Sequence, residues 1–575
     1  MAFPRMNFVE EAMFADVILY NGQIYKSNLK KEYAEAIAVK DRKIIYTGSN
    51  AESLKYKSEK TTMIDLKGKL VIPGLIDGHT HPETIAKSRW RVQMPEFDNV
   101  PALLEWIKNY CAVHSKEEVP YFFGEGYAPT LFDENGPKKE WLDDYVSDRP
   151  VRLQDFTDHA CWYNSKALEL MGIDSSTQET GTAPFFVRDK NNEPTGWVKE
   201  PLPTDNKEQK MYEAIGWYPP EEVTEEMVAP FLDRLKSYGV IALLDGITEG
   251  EDAIRLFCEM DKAGRLNMYY EGTCLLESYD RLDECIATLR DWQQKYTNEH
   301  VRLHTIKMFL DNTNEMGNSA SLEPLYNNPT DTNYGEINMS EAELTDTLIR
   351  LNKEKIDLHI HVVCDRGFRT ACNAYEAAKE TVLEQGETWD IFMELAHCEL
   401  VHPDDMARPA ELGIIINWSC HWAGGYFGEA AIGYLGQERW DTMYDFTKML
   451  ETGATVTYSS DVIGENEEYR ADPYLGMEIS ATRVDTYHPL NPEKYPDSVR
   501  PPISARLTVE QMIDGYTRAG AMPFRLEDKI GTIEAGKYAN ITVLNKDIFK
   551  IPADKLHTAE AVFVMFEGKI LKDEL

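Results

Sequence analysis

Val71-Ile72-Pro73-Gly74-Leu75-Ile76-Asp77-Gly78-His79-Thr80-His81-Pro82 is an apolar run that ends in two histidines one residue apart. A short apolar run of this kind reads as a buried strand. Residues i and i+2 of a strand point to the same face, so His79 and His81 can reach one metal ion from one strand end. Imidazole suits zinc, iron, nickel and similar borderline ions. By itself a His-x-His pair is a weak signal, because two ordinary surface histidines give the same pattern. The residues downstream decide between the two readings.

Downstream, strand-like and helix-like stretches alternate. Val240-Ile241-Ala242-Leu243-Leu244, Ile356-Asp357-Leu358-His359-Ile360-His361 and Ile414-Ile415-Ile416-Asn417 are apolar and strand-like; 340–354, 367–383 and 508–519 carry helical periodicity. This rhythm argues for βα units in a parallel sheet or barrel. Four polar residues stand at or near the ends of such strands. Lys307 lies in Thr305-Ile306-Lys307-Met308-Phe309-Leu310-Asp311, His361 ends its strand, His397 follows Phe392-Met393-Glu394-Leu395-Ala396, and Asp461 follows Val456-Thr457-Tyr458-Ser459-Ser460. Barrel active sites are built at such strand ends. Taken singly, each has an ordinary structural reading: a satisfied core histidine, a lysine paired with Asp311, a helix cap at Asp461. Together, in order after His-x-His, they favour a metal site.

The ends of the chain differ from the middle. Short strands flank Asn21-Gly22, a hairpin signal, and Lys40-Asp41-Arg42, a second turn. The segments Ala539 to Leu544, Ala561 to Phe566 and Lys569 to Leu571 repeat that style near the C-terminus. One small β domain from residues 1–70 and 531–575 is expected, around a domain of 71–530. A plain barrel takes roughly 250 residues. The longer middle therefore carries an insertion, placed at about 90–235, where the strand–helix rhythm is poor.

The pattern of His79-x-His81, Lys307, His361, His397 and Asp461 resembles the metal-dependent amidohydrolase superfamily. More narrowly it resembles the YtcJ-like branch, which includes N-substituted formamide deformylases. The matching stretches are 155–168, Pro194 to Glu200, Lys307 to Asp311, His361 to Arg366, Ala396 to Glu399 and Gly531 to Leu544. The resemblance implies an α/β fold: a (β/α)8 TIM-like barrel with a small β-sandwich domain formed by both chain termini and an insertion in the barrel. It implies two divalent metal ions, with zinc expected. His79, His81 and Asp461 would hold one and His361 and His397 the other, bridged by Lys307 if that lysine is carboxylated. The implied reaction is hydrolysis of a C–N amide bond in an N-acyl or N-formyl amine by metal-activated hydroxide. Asp461 would move the proton, with His159 and His421 as candidates for stabilising the oxyanion. Glu200, Trp418 and Trp422 are candidates for substrate binding; Tyr127, Trp162 and Trp197 are further candidates for an apolar pocket wall. A cyclic-amide hydrolase or deaminase, and a binding protein with an inactive site, are the rival readings. Asp311-Asn312, Val362-Val363-Cys364 and Trp418-Ser419-Cys420-His421 depart from the branch pattern near the expected pocket and leave the substrate open.

Composition sets outer limits. Sixty Lys and Arg against 98 Asp and Glu give a net charge of −38, which disfavours nucleic acid and anionic membranes as partners. No stretch approaches a membrane span. Nine scattered cysteines without a Cys-x-x-Cys pair fit reduced thiols in the cytoplasm. Lys572-Asp573-Glu574-Leu575 spells a retrieval signal that means nothing without an entry signal, and is read as coincidence. A small-molecule substrate is expected, and a homodimer on the superfamily resemblance alone.

Overall fold

Eight segments buried on both faces form one parallel sheet in chain order: β1 (Leu75–Thr80), β2 (Val240–Asp245), β3 (Tyr269–Leu276), β4 (Val301–Phe309), β5 (Asp357–Val362), β6 (Met393–His397), β7 (Ile415–Ser419) and β8 (Thr455–Ser459). The computed structural model describes residues 14–575 apart from 134, 157–158, 179–184, 200–204, 221 and 327–332. Double-sided burial explains why these strands read as apolar runs rather than as alternating ones. The last strand returns to the first. Asp461 N donates to the His79 carbonyl at 2.8 Å and His81 N to the Val462 carbonyl at 3.1 Å. The Asp77 carboxylate accepts from Ser460 N and Oγ, at 2.9 and 2.6 Å. The result is an α/β TIM-like barrel, as expected.

Helices follow the strands on its outside. The helix Glu341–Glu354 starts on a capping box in which Ser340 and Glu343 satisfy each other's backbone N–H groups. The helix Asp365–Glu384 follows β5 and buries one face on the barrel.

Chain ends supply two further sheets. One runs Lys569–Asp573, Ala561–Phe566, Ile541–Leu544, Leu70–Pro73, Gln23–Tyr25, Tyr33–Ala34. The other runs Lys43–Gly48, Ala36–Lys40, Val17–Tyr20, Thr62–Asp65. Leu19, Ile37, Val71, Ile541 and Phe563 belong to one apolar cluster shared by the two sheets. Two local expectations change. Val71 to Thr80 is not one strand: it breaks at Gly74, where a Cβ would lie 2.5 Å from the Ile241 side chain, and its halves serve different sheets. Asn21-Gly22 is not a hairpin, because the strands before and after it also belong to different sheets. Asp41 and Arg42, both at positive φ, do form the tight turn between paired strands.

The insertion has its own six-stranded sheet, in the order Phe185–Arg188, Pro194–Lys199, Ala160–Tyr163, Val151–Asp155, Phe122–Tyr127, Val92–Gln93. Its mixture of parallel and antiparallel pairs explains the irregular rhythm. The connection between Val151–Asp155 and Ala160–Tyr163 carries His159.

Candidate metal centre

The barrel brings the six strand-end residues to one end. Lys307 lies within β4 and His361 within β5, His397 closes β6, and Asp461 stands two residues beyond β8. His79 is the penultimate residue of β1, and His81 follows that strand directly. Asp461 sits between the histidines: Oδ1 lies 3.4 Å from His79 Nε2 and 3.3 Å from His81 Nε2, and Oδ2 lies 3.4 Å from His397 Nδ1. His79 Nε2 and His81 Nε2 are 3.2 Å apart. The His361 and His397 rings are 4.5 Å apart. Lys307 Nζ lies 5.0 Å from the centroid of the Phe309 ring, which in turn lies 4.9 Å from the His361 ring.

The backbone is bent to make this possible. His397, Cys398 and Asp461 have φ of 77°, 43° and 48°. Left-handed conformations at non-glycine residues cost on the order of 1–3 kcal/mol each and persist where the surroundings enforce them. Here the enforcement is visible: Cys398 N donates to the Val362 carbonyl at 2.8 Å, and Asp461 N to the His79 carbonyl. Gly246 completes the fit. A Cβ there would lie 2.5 Å from His79 Nε2 and 2.7 Å from His81 Cε1, so only glycine leaves both rings in place.

Burial sets the charge states. It pushes the pKa values of His79, His361 and His397 well below the usual imidazole value, with Lys307 and neighbouring histidines adding to the effect. Burial also pulls Lys307 down to about 7, against the opposing pull of Asp461 and Glu394. The rings are therefore neutral and carry lone pairs. His361 Nε2 and His397 Nδ1 are buried without a hydrogen-bond partner among the described residues. The other side of the His361 ring is hydrogen-bonded to the Asn312 backbone. Unpartnered imidazole nitrogens around a buried carboxylate are the donor set a divalent cation takes, so the residues present fit such an ion.

The remaining candidates separate. His159 reaches the site from the insertion, its ring 6.2 Å from that of His361. His421 is buried beside β8, hydrogen-bonded to the Ser460 backbone, with Nε2 unpartnered among the described residues; burial pushes its pKa down to about 3. The Trp422 ring stacks on His397, with centroids 5.2 Å apart and planes 12° apart. Trp418 is a correction. Alternation along β7 turns Asn417 and Ser419 into the barrel and Trp418 outward, against Phe446 at 4.1 Å. Tyr127 and Trp162 likewise pack on Phe132 within the insertion. Trp197 lies beneath the Lys199 ammonium, 4.5 Å from its ring centroid. Glu200 lies outside the described residues.

The sequence reading missed His359 and Glu394. His359 Nε2 is 2.7 Å from His79 Nδ1, and His359 Nδ1 is 2.8 Å from Glu394 Oε2. The signal was present: His359-Ile360-His361 is a second His-x-His on a strand.

The amidohydrolase family profile matches residues 62–572. Along 567 residues the chain is 26% identical to a putative amidohydrolase, YtcJ, of Bacillus subtilis, covering 97% of this chain and 99% of the relative. It is 23% identical over 569 residues to the N-substituted formamide deformylase of Arthrobacter pascens, covering 96% and 97%. A crystal structure of an uncharacterized metal-dependent hydrolase from Pyrococcus furiosus shares the fold, with a TM-score of 0.64 at 22% identity over 93% of this chain and all of that one.

Proposed function

The chain belongs to the amidohydrolase family, and we propose that it hydrolyses the carbon–nitrogen bond of an N-acyl or N-formyl amine at a centre of two divalent ions, zinc being the expected metal. The ligands are His79, His81, Lys307, His361, His397 and Asp461. The observation that carries this reading is the Asp461 carboxylate lying within 3.4 Å of His79, His81 and His397, next to unpartnered imidazole nitrogens. The likeness to a formamide deformylase over nearly the full length supports the choice of bond.

Divalent ions bound there supply an acidified water and polarise the substrate carbonyl. The chain's own groups do the rest. Asp461 accepts a proton at one carboxylate oxygen and delivers it to the leaving amine. His159, entering from the insertion, serves as a donor to the developing oxyanion, whereas His421, neutral and with its one N–H given to the Ser460 backbone, offers a lone pair at Nε2 that accepts from a substrate N–H. Trp422 covers His397 and walls off the acyl side. Lys307 enters the ligand set as a carbamate: its neutral amine adds to carbon dioxide, the C–N bond forms as one C=O π bond opens onto oxygen, one amine proton passes to solvent, and an anionic oxygen donor replaces the neutral amine.

The test combines metal analysis with a substrate panel of N-formyl, N-acetyl and longer N-acyl amines, cyclic amides and esters. Expected are roughly two zinc-like ions per chain and amine release from the acyclic amides. A metal-free protein after gentle purification, or turnover confined to cyclic amides or esters, would overturn the reading.

Gly246→Ala provides a structural check. Its methyl must displace the His79 and His81 rings, and overpacking of this kind costs about 1–3 kcal/mol. Metal content at or below half that of wild type is expected, with a lowered melting temperature. Full metal content in Gly246→Ala would remove one of those histidines from the ligand set.

A further inference from the structure

We propose that His359 is a positioning residue that fixes the tautomer of His79 through a buried relay anchored on Glu394. The inference rests on the metal reading above and adds to it a group that neither the strand-end pattern nor the ligand set contains.

The relay is continuous. Ser459 Oγ donates to Asn417 Oδ1 at 2.7 Å, Asn417 Nδ2 donates to Thr457 Oγ1 at 2.8 Å, and Thr457 Oγ1 donates to Glu394 Oε1 at 2.6 Å. Glu394 Oε2 then faces His359 Nδ1 at 2.8 Å, and His359 Nε2 faces His79 Nδ1 at 2.7 Å. All six side chains are buried, none more than 3% exposed. They come from β1, β5, β6, β7 and β8, so the relay crosses the barrel interior beneath the strand ends.

Its direction follows from the chemistry of its members. A carboxylate has no proton to give, so both Glu394 oxygens accept. His359 must then carry its proton on Nδ1 and offer a lone pair at Nε2. His79 must carry its proton on Nδ1 to meet that lone pair. The lone pair of His79 Nε2 is thereby left free, on the edge that faces His81 and Asp461. Metal-ligating histidines are commonly fixed by a carboxylate on the far ring nitrogen. Here a second imidazole is interposed between Glu394 on β6 and His79 on β1. Register explains the arrangement: His359 pairs with Glu394 on one side and with Lys307 on the other, so all three face inward at one level.

Two variants of the full chain test this. Glu394→Gln keeps the shape but replaces one of the two acceptor oxygens by an NH2 group, so that either His359 or Thr457 faces a donor, and the negative charge that holds the His359 proton on Nδ1 is lost. His359→Phe keeps a ring and removes both nitrogens. Each protein is stripped of metal and reloaded with zinc against a competing chelator, and separately with cobalt for its visible spectrum. Trp418→Phe, a buried change outside the site, controls for loss of packing. The expected result is a 10–100-fold loss of zinc affinity in both variants, with altered cobalt bands, and neither change in Trp418→Phe. Where His359→Phe fails to fold, Glu394→Gln decides alone. Zinc affinity within twofold of wild type overturns the relay, and so does weakened affinity with an unchanged cobalt spectrum, which would make His359 a packing residue. A wild-type protein that takes up no metal overturns the proposed function together with the relay. Normal metal uptake with unaffected variants overturns the relay alone.

Discussion

Replacing Asp461 by asparagine is expected to lower kcat by about 10²–10⁴-fold, the range general acid–base catalysis supplies, while the protein remains folded. The substitution is conservative in shape and in backbone demand. Asp461 has a φ of 48°, a conformation that asparagine, like aspartate, adopts more readily than most residues. The bond from its backbone N to the His79 carbonyl does not involve the side chain and survives. What changes is one oxygen, which becomes an NH2 group. A carboxylate accepts at both oxygens; the amide accepts at one and presents protons at the other. One of the approaches now made to His79, His81 and His397 therefore becomes unfavourable to a cation, and no basic oxygen remains to take a proton. The stripped protein should unfold at or above the wild-type temperature, because a buried charge has been removed without removing volume. The measurement is kcat on the best substrate of the panel, alongside a thermal melt. Turnover close to wild type would take the proton-transfer role away from Asp461.

The separation between what the sequence revealed and what it concealed follows the physics of parallel barrels. Lys307, His361, His397 and Asp461 were visible because a charged or polar side chain at the end of an apolar strand breaks a pattern. His359 and Glu394 were less visible because they stand inside the strands, where one polar residue among apolar neighbours looks like a satisfied core group. Their meaning lies in pairing across strands: His359 is registered with Glu394, 35 residues away. Trp418 shows the opposite error. Closeness in sequence to His421 suggested a pocket, but side chains of a strand alternate, and the parity of Asn417 and Ser419 sends the tryptophan outward. The break at Gly74 was hidden because Val71-Ile72 and Leu75-Ile76 are equally apolar, although they serve different sheets. The insertion's sheet was hidden for a related reason: its strands pair in both directions, and no local period records that.

Lys307→Ala is expected to reduce bound metal to one ion or fewer per chain and kcat by a factor on the order of 10³, comparable to losing a group that acts in the transition state. Lys307 is 1% exposed, and lysine is almost never so buried without a partner. Its nitrogen lies 5.0 Å from the centroid of the Phe309 ring, and burial draws its pKa to about 7. A neutral amine is therefore abundant at neutral pH, and the neutral amine is the form that adds to carbon dioxide. The resulting anion suits a position between neutral imidazoles and cations far better than an ammonium would. Truncation to alanine removes the nitrogen and leaves a cavity, at a cost of about 2–5 kcal/mol by analogy with other large-to-small changes. That cavity distinguishes a ligand from a packing residue. If a carbamate oxygen held the metal, acetate or propionate entering the space can restore part of the metal content and part of the rate. If Lys307 only filled space, added carboxylates restore neither. Reloading of the stripped wild type should likewise depend on bicarbonate, whereas Lys307→Ala should be indifferent to it. Unchanged metal content in Lys307→Ala would remove the carbamate and leave His79, His81, His361, His397 and Asp461 as the whole ligand set.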